Sequence, residues 1–307
     1  MKEKIGAVTL NLDYYGGEDL YSDGIVEEQL LSIVKNHGPE EYQDIIIKEK
    51  SWPILYHLSK QRENIIEWYP FGRDKSILEV GAGCGAITGA LVNKARRVVA
   101  NDLSKRRSTI NAYKNKSAEN LEIVVGNFSR VAEELEETFD YVTLIGVFEY
   151  AKSYIAEEEP YAVFLDKINR RLKKNGKILL AIENRLGLKY FAGCKEDHLG
   201  REFVGIEGYP PETKVETFSK NELERLLEAC GYHHYKFYYP YPDYKFPTTI
   251  YSDEHLPQKG ELRNNLRNFD ADRYVLFDEG KAFDGIIQSG LFPVFSNSFF
   301  VEISKKE

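Results

Sequence analysis

The chain has 307 residues, of which 42% are hydrophobic and 29% charged, with a formal net charge of -8. That balance fits a folded globular chain of one large domain or two small ones and argues against a basic nucleic-acid footprint. No apolar run approaches the roughly 20 residues of a membrane-crossing helix, so no membrane insertion is expected. The opening MKEKIGAVTLNLDYYGG lacks the apolar core of a secretory leader, and Cys84, Cys194 and Cys230 have no metal-type spacing. Free thiols in a reducing, cytoplasmic compartment are expected.

Residues 1–40 read as irregular or partly stranded. From Pro53 to Trp68 the positions Ile54, Leu55, Leu58, Ile65 and Ile66 fit an amphipathic helix. Residues 1–75 are thus an N-terminal extension and helical cap before a main domain over 76–307. Strands and helices then alternate: strand 76–81, helix 86–94, strand 97–102, helix 105–115, strand 121–125, helix 130–136 and strand 140–146. A helix over 160–173 ends at Lys174-Asn175-Gly176, read as a left-handed stop, before strand 177–183. The alternation predicts an α/β doubly wound, Rossmann-like parallel sheet. Residues 184–218 are too long for an ordinary connection. Ser219 and Glu222 make a capping box for a helix over 220–230, which Gly231 ends. A strand near 233–239, a second long insert over 241–292 and an apolar run from Val294 to Ile303 complete the chain.

The segment Ile77-Leu78-Glu79-Val80-Gly81-Ala82-Gly83-Cys84-Gly85 carries the most chemistry. It reads as a buried strand turning over three spaced glycines into a helix. With no Cβ in the way, backbone can approach a ligand closely, and the helix N-terminus offers N–H groups to it. The turn satisfies a dinucleotide pattern, GxGxxA, with Asp102 at a suitable distance. Three details favour S-adenosylmethionine instead. Glu79 stands two residues before the first glycine, where it can meet the cofactor's ammonium. The third glycine falls at Gly85, giving GxGxG. The fourth strand closes in Ile145-Gly146-Val147-Phe148-Glu149-Tyr150.

On these residues the sequence resembles the class I S-adenosylmethionine-dependent methyltransferases, closely over 53–183 and more loosely over 219–303. The resemblance implies a seven-stranded sheet with an antiparallel last strand, for which Val294–Ile303 is the right place. It implies that Gly81, Ala82, Gly83 and Gly85 pass under the methionine part, that Asp102 accepts from both ribose hydroxyls, and that Leu103 flanks the adenine. Asn127 takes the place where the family commonly has an acid facing the adenine amino group, and Phe128 stacks on or edges the base. Ile145, Gly146 and Phe148 border the sulfonium. The product is S-adenosylhomocysteine. SKQRENIIEWYPF, LEVGAGCGAITGAL, AIENRLGLKYFAG, EDHLG and FYYPYPDYKFP are also similar to bacterial methyltransferases found with glycosyltransferases in polysaccharide or secondary-metabolite clusters.

The sulfonium is already a good leaving group, so the protein must align a nucleophile and take its proton. LIGVFEYA is not the Asn/Asp-Pro-Pro-aromatic motif that cradles planar amines, and no Pro-Cys nucleophile stands there. A sugar hydroxyl or carboxylate of a small-molecule or saccharide substrate fits best, with a small amine next. No metal is expected. His198, between Asp197 and Gly200, is the candidate base, its pKa brought near neutrality by an adjacent carboxylate. Glu149 is another, and Glu183, Asn184 and Arg185 at a strand end are placed to contact substrate; Glu207 and His255 are weaker candidates. Tyr56 and Arg62 could close over the cofactor, Arg62 meeting its carboxylate. The aromatic run Phe237 to Pro242 reads either as a sugar-stacking surface or as a buried strand face. An NAD-linked oxidoreductase and a catalytically silent cofactor-binding protein are the rival readings.

Overall fold

The computed structural model describes residues 1–19, 24–265 and 271–306. The chain forms two compact units, Met1–Leu144 with Asp166–Ile178, and Ile145–Leu165 with Leu179–Glu307. The described residues form ten strands rather than seven: β1 (Lys2–Ile5), β2 (Val8–Tyr14), β3 (Ser76–Val80), β4 (Arg97–Asp102), β5 (Leu121–Gly126), β6 (Phe139–Ile145), β7 (Leu172–Glu183), β8 (Tyr235–Tyr241), β9 (Thr249–Ser252) and β10 (Ser298–Ser304).

In the first unit the hydrogen-bonded order is β1-β2-β5-β4-β3-β6. Every pair is parallel except the β1–β2 hairpin. The expected strands of this unit appear within a residue or two, because runs such as Ile77-Leu78 and Val98-Val99-Ala100 are apolar without alternation and bury both faces. The N-terminal extension is part of this unit, since Thr9, Leu10 and Asn11 of β2 pair in parallel with Glu122, Ile123 and Val124 of β5. The compact units are therefore drawn differently from a segmentation at residue 75.

The helical cap is broken rather than continuous. Helix Trp52–Leu58 stops at Ser59, whose hydroxyl caps a short 3-10 turn over Lys60–Glu63, and Asn64–Glu67 follows. Leu30, Val34, Tyr42, Ile54 and Leu58 of the cap form one core cluster with Cys84 of the glycine turn and Ile110 of helix Lys105–Lys114. The cap thus packs directly on the turn it precedes.

In the second unit, which takes β7 only from Leu179 onward, the order is β7-β10-β8-β9, and β10 is antiparallel to β8, as β9 is. The antiparallel last strand is Ser298–Ser304, so it overlaps only the later part of the expected run, whose first residues belong to helix Phe292–Phe295. Helix Lys220–Ala229 carries both halves of the capping box. Phe237 and Tyr239 of β8 are buried against Phe299 and Phe292. This settles the aromatic run as a buried strand face, not a sugar-stacking surface. The 241–292 stretch holds β9 and helix Glu279–Gln288; its residues 266–270 lie outside the described residues.

One expected helix end is corrected. The helix Pro160–Arg170 stops before Lys174-Asn175-Gly176, and those residues belong to β7. Gly176 is not among the glycines of positive φ. Leu172 is buried and the Arg171 carbonyl accepts from the Phe139 N–H at 2.8 Å, so strand pairing claims this stretch.

Candidate functional site

In the first unit the glycine turn leaves β3 with Gly83 at φ +52° and Gly85 at φ +76°, a region L side chains rarely adopt. A Cβ on Gly83 would lie 2.9 Å from the Arg107 guanidinium, and one on Gly85 would collide with the Asn111 side chain. Asp102, at the end of β4, fixes the turn. Its Oδ2 accepts the Gly83 N–H at 2.8 Å and its Oδ1 accepts the Ser104 N–H at 3.0 Å. Each carboxylate oxygen keeps a further lone pair for a ligand hydroxyl. Ser104, not Asp102, caps helix Lys105–Lys114.

Glu79 is buried, and its Oε2 accepts the Thr88 hydroxyl at 2.7 Å. Burial pushes its pKa up to about 8, against that hydrogen bond and the pull of Lys114. Lys114 donates to the carbonyls of Gly85 and His57 at 2.8 and 2.7 Å, and burial brings it down to about 8. Burial, helped by Arg107, Lys114 and Arg62, drives His57 well below the usual histidine range. Arg62 is buried; its Nη2 donates to the Tyr56 hydroxyl at 3.0 Å and its guanidinium carbon sits 4.2 Å from that ring's centre. The two candidates for closing over the cofactor therefore hold each other. The Asn127 side-chain oxygen accepts the Ser129 N–H at 2.9 Å, capping helix Phe128–Glu134. Phe128 is nearly buried, and Leu103 is half-buried.

In the second unit three separated segments meet. Glu149 comes from the short turn Phe148–Tyr150, Glu183 is the last residue of β7, and His198 lies in the insert beyond it. One ligand-type atom from each lies within 4.8 Å of the others. The side chains are nearly sealed: 1% of Glu149, 1% of Glu183 and 8% of His198 are exposed. His198 Nε2 is 3.6 Å from Glu149, and its Nδ1 is 3.0 Å from Glu196. Burial opposes charge on this ring, yet the hydrogen bonds to Glu149 and Glu196 outweigh it and raise its pKa to about 11. The near-neutral value expected for His198 is corrected: in this arrangement the ring is an imidazolium. Its carboxylate partners are Glu149 and Glu196. Asp197 turns the other way, to Tyr190, Lys189 and Lys245.

Those lysines were not foreseen from the sequence. Lys245 sits 2.8 Å from Glu183, and Lys189 lies 2.9 Å from Asp197. Burial alone would raise the Glu183 carboxyl, but Lys245 holds it below its ordinary value. Burial does raise Glu149, because His198 offsets it only in part. The available signal was the single lysine in PYPDYK, a charge in an aromatic segment just beyond β8.

Three further candidates have structural roles. Phe148 has no exposed surface and packs on Phe164, Tyr161 and Phe218, so it is a core residue and not a wall of the cofactor site. Asn184 spends its amide on the carbonyls of Val294 and Ser296 at 2.8 and 2.7 Å. Arg185 pairs with Glu222 at 3.1 Å. Ile145 is half-buried, and a Cβ on Gly146 would stand 2.7 Å from the Tyr244 hydroxyl.

Residues 78–180 match a family model described as a methyltransferase domain. A SAM-dependent methyltransferase from Archaeoglobus fulgidus is similar in fold, with a TM-score of 0.50 and 13% identity over 83% of this chain and 100% of that one. Phosphoethanolamine N-methyltransferase 1 of Haemonchus contortus, solved with phosphoethanolamine and S-adenosylhomocysteine, aligns with 15% identity and a TM-score of 0.47. That alignment covers 88% of this chain and 49% of the other. No curated protein matches the sequence. Among the described residues no helix is long and apolar enough to cross a membrane.

Proposed function

We propose that this chain is an S-adenosylmethionine-dependent methyltransferase, a reading its methyltransferase-domain match supports, and that it methylates an oxygen of a saccharide or other small-molecule acceptor, with Glu149, Glu183 and His198 at the acceptor's hydroxyl. The observation that carries the reading is the buried convergence of those three side chains from segments far apart in the chain. Buried titratable groups with shifted pKa values in one cluster are what proton removal requires.

The cofactor supplies a methyl group on a positively charged sulfur. The residues of the first unit suit holding it. Backbone freed of Cβ atoms at Gly83 and Gly85 allows close approach, and Asp102, already oriented by two N–H groups, can accept two ribose hydroxyls. Gly81 and Ala82 complete the passage under the methionine part. Leu103, Asn127 and Phe128 are assigned to the adenine end, Asn127 through its remaining lone pair. Arg62 and Tyr56 are assigned to the carboxylate, Glu79 to the ammonium, and Ile145 and Gly146 to the sulfonium.

A hydroxyl acceptor held in line with the cofactor's S–CH3 bond would need a group to take its proton, as the C–O bond forms and the C–S bond breaks to release S-adenosylhomocysteine. Glu149 is the group best suited to take that proton, because burial raises its affinity for one. Glu183, kept ionised by Lys245, would orient the acceptor through a hydrogen bond. His198, held between Glu149 and Glu196, sets the position of the Glu149 carboxylate.

The test uses the full chain, cofactor carrying a carbon-13 methyl group, and a panel of free and nucleotide-activated sugars beside small amines. An O–CH3 signal that grows with S-adenosylhomocysteine supports the reading. An N–CH3 product alone would contradict it. His198→Ala is expected to lose turnover and keep S-adenosylhomocysteine binding.

A further inference from the structure

We propose that Glu149, Glu183 and His198 together bind one divalent transition-metal ion. The ion's use in methyl transfer rests on the acceptor-oxygen reading above, whereas its binding does not.

Geometry comes first. A ligand atom from each residue lies within 4.8 Å of the others. Ligands at ~2.0–2.2 Å from a shared ion span little less than that, so small side-chain rotations close the site. Two carboxylates with one imidazole suit manganese, iron or zinc better than magnesium or calcium, which favour all-oxygen sites.

The histidine has the carboxylate behind its ring that metal-binding histidines have, and an ion would take the place of the Nε2 proton. Its Nδ1 is engaged by Glu196 at 3.0 Å, which leaves Nε2 on the side of Glu149. Glu196 is itself fixed by the N–H groups of His198 and Leu199 at 2.8 and 2.7 Å and by the Tyr209 hydroxyl at 3.0 Å. A carboxylate behind the ring sets its tautomer and orientation.

An independent observation points to an occupant. Glu149 Oε2 and Glu183 Oε2 are buried and accept no hydrogen bond, and each residue is 1% exposed. Carboxylate oxygens left so are costly unless a cation meets them. Lys245 lies against Glu183 Oε1, so Oε2 is the oxygen left for an ion. Charge agrees. The network holds the carboxylates of Glu149, Glu183, Glu196, Asp197 and Asp243 against the ammonium groups of Lys189 and Lys245 and the imidazolium of His198. Acids outnumber these cations by two, an excess that a dication reduces even after the ring gives up its proton. An ion here would also make a bound hydroxyl more acidic, which is the task assigned to this cluster.

The experiment uses the full chain, dialysed against a chelator and titrated calorimetrically with MnCl2 alone and with ZnCl2 alone. Binding of one ion per chain is expected. His198→Gln and Glu183→Gln should each weaken it at least about tenfold while S-adenosylhomocysteine binding, read on the same samples, is unchanged. If a variant loses that binding as well, the wild-type chain decides: Mn2+ must broaden the His198 ring signals in its NMR spectrum. No binding of either ion at millimolar concentration, binding unchanged in both variants, or His198 signals untouched by Mn2+ would overturn the proposal. So would displacement of the ion by methylammonium at equal concentration, which would assign the cluster to an ammonium group. Metal binding without any O-methyl product would instead defeat the acceptor reading and leave the metal site standing.

Discussion

Glu79 holds its proton at neutral pH because burial raises its carboxyl to about 8. If it meets the cofactor's ammonium, binding must release that proton. Calorimetry of S-adenosylhomocysteine binding at pH 7, in buffers of different ionisation enthalpy, is expected to show release of close to a full proton. Glu79→Gln should abolish the release. The same shift fixes a stability trend. The folded state keeps the proton above 4.5, the ordinary value, where the unfolded chain has lost it, so rising pH costs stability until about 8. The ligand-free Glu79→Gln variant should therefore gain in Tm on the wild type as pH climbs from 4.5 to 8. A constant difference across that window would contradict the burial.

Two elements, the glycine turn and a capped helix, each offer a separate test. Gly85 combines a φ of +76° with a neighbour, Asn111, that a methyl group would strike. Gly85→Ala is expected to cost on the order of 1–3 kcal/mol in denaturant unfolding and to weaken cofactor binding. Ser219 closes the capping box of helix Lys220–Ala229, far in sequence from the turn. Ser219→Ala should cost about 1 kcal/mol and leave S-adenosylhomocysteine binding intact. Both elements were legible in the sequence, because a glycine turn after a buried strand and a Ser-x-x-Glu cap are local patterns. The 174–176 stop failed because Lys-Asn-Gly suits a helix end, while pairing between Arg171 and Phe139 claims the residues for β7. Local preference yielded to a long-range contact.

Across the whole molecule the same division recurs. The parallel strands β3 to β6 could be read from their apolar runs, but the pairing of β2 with β5 joins residues more than a hundred positions apart and leaves no local trace. At the buried cluster of the second unit, His198, Glu149 and Glu183 were recognisable as chemistry-bearing types. Which neighbour faces His198 was not, because Glu196 and Asp197 are adjacent and only the fold turns one inward to the ring and the other to Lys245. Lys245, 48 positions from Asp197, was invisible for the same reason.

The central claim is that the Gly81–Gly85 turn and Asp102 hold S-adenosylmethionine. Titrating the full chain with S-adenosylhomocysteine and with NAD, beside Asp102→Ala, tests it most directly. The account predicts binding of S-adenosylhomocysteine and not of NAD, with the variant weakened by at least about tenfold through the lost charged acceptor. Binding of NAD alone, or an unchanged affinity in Asp102→Ala, would contradict it.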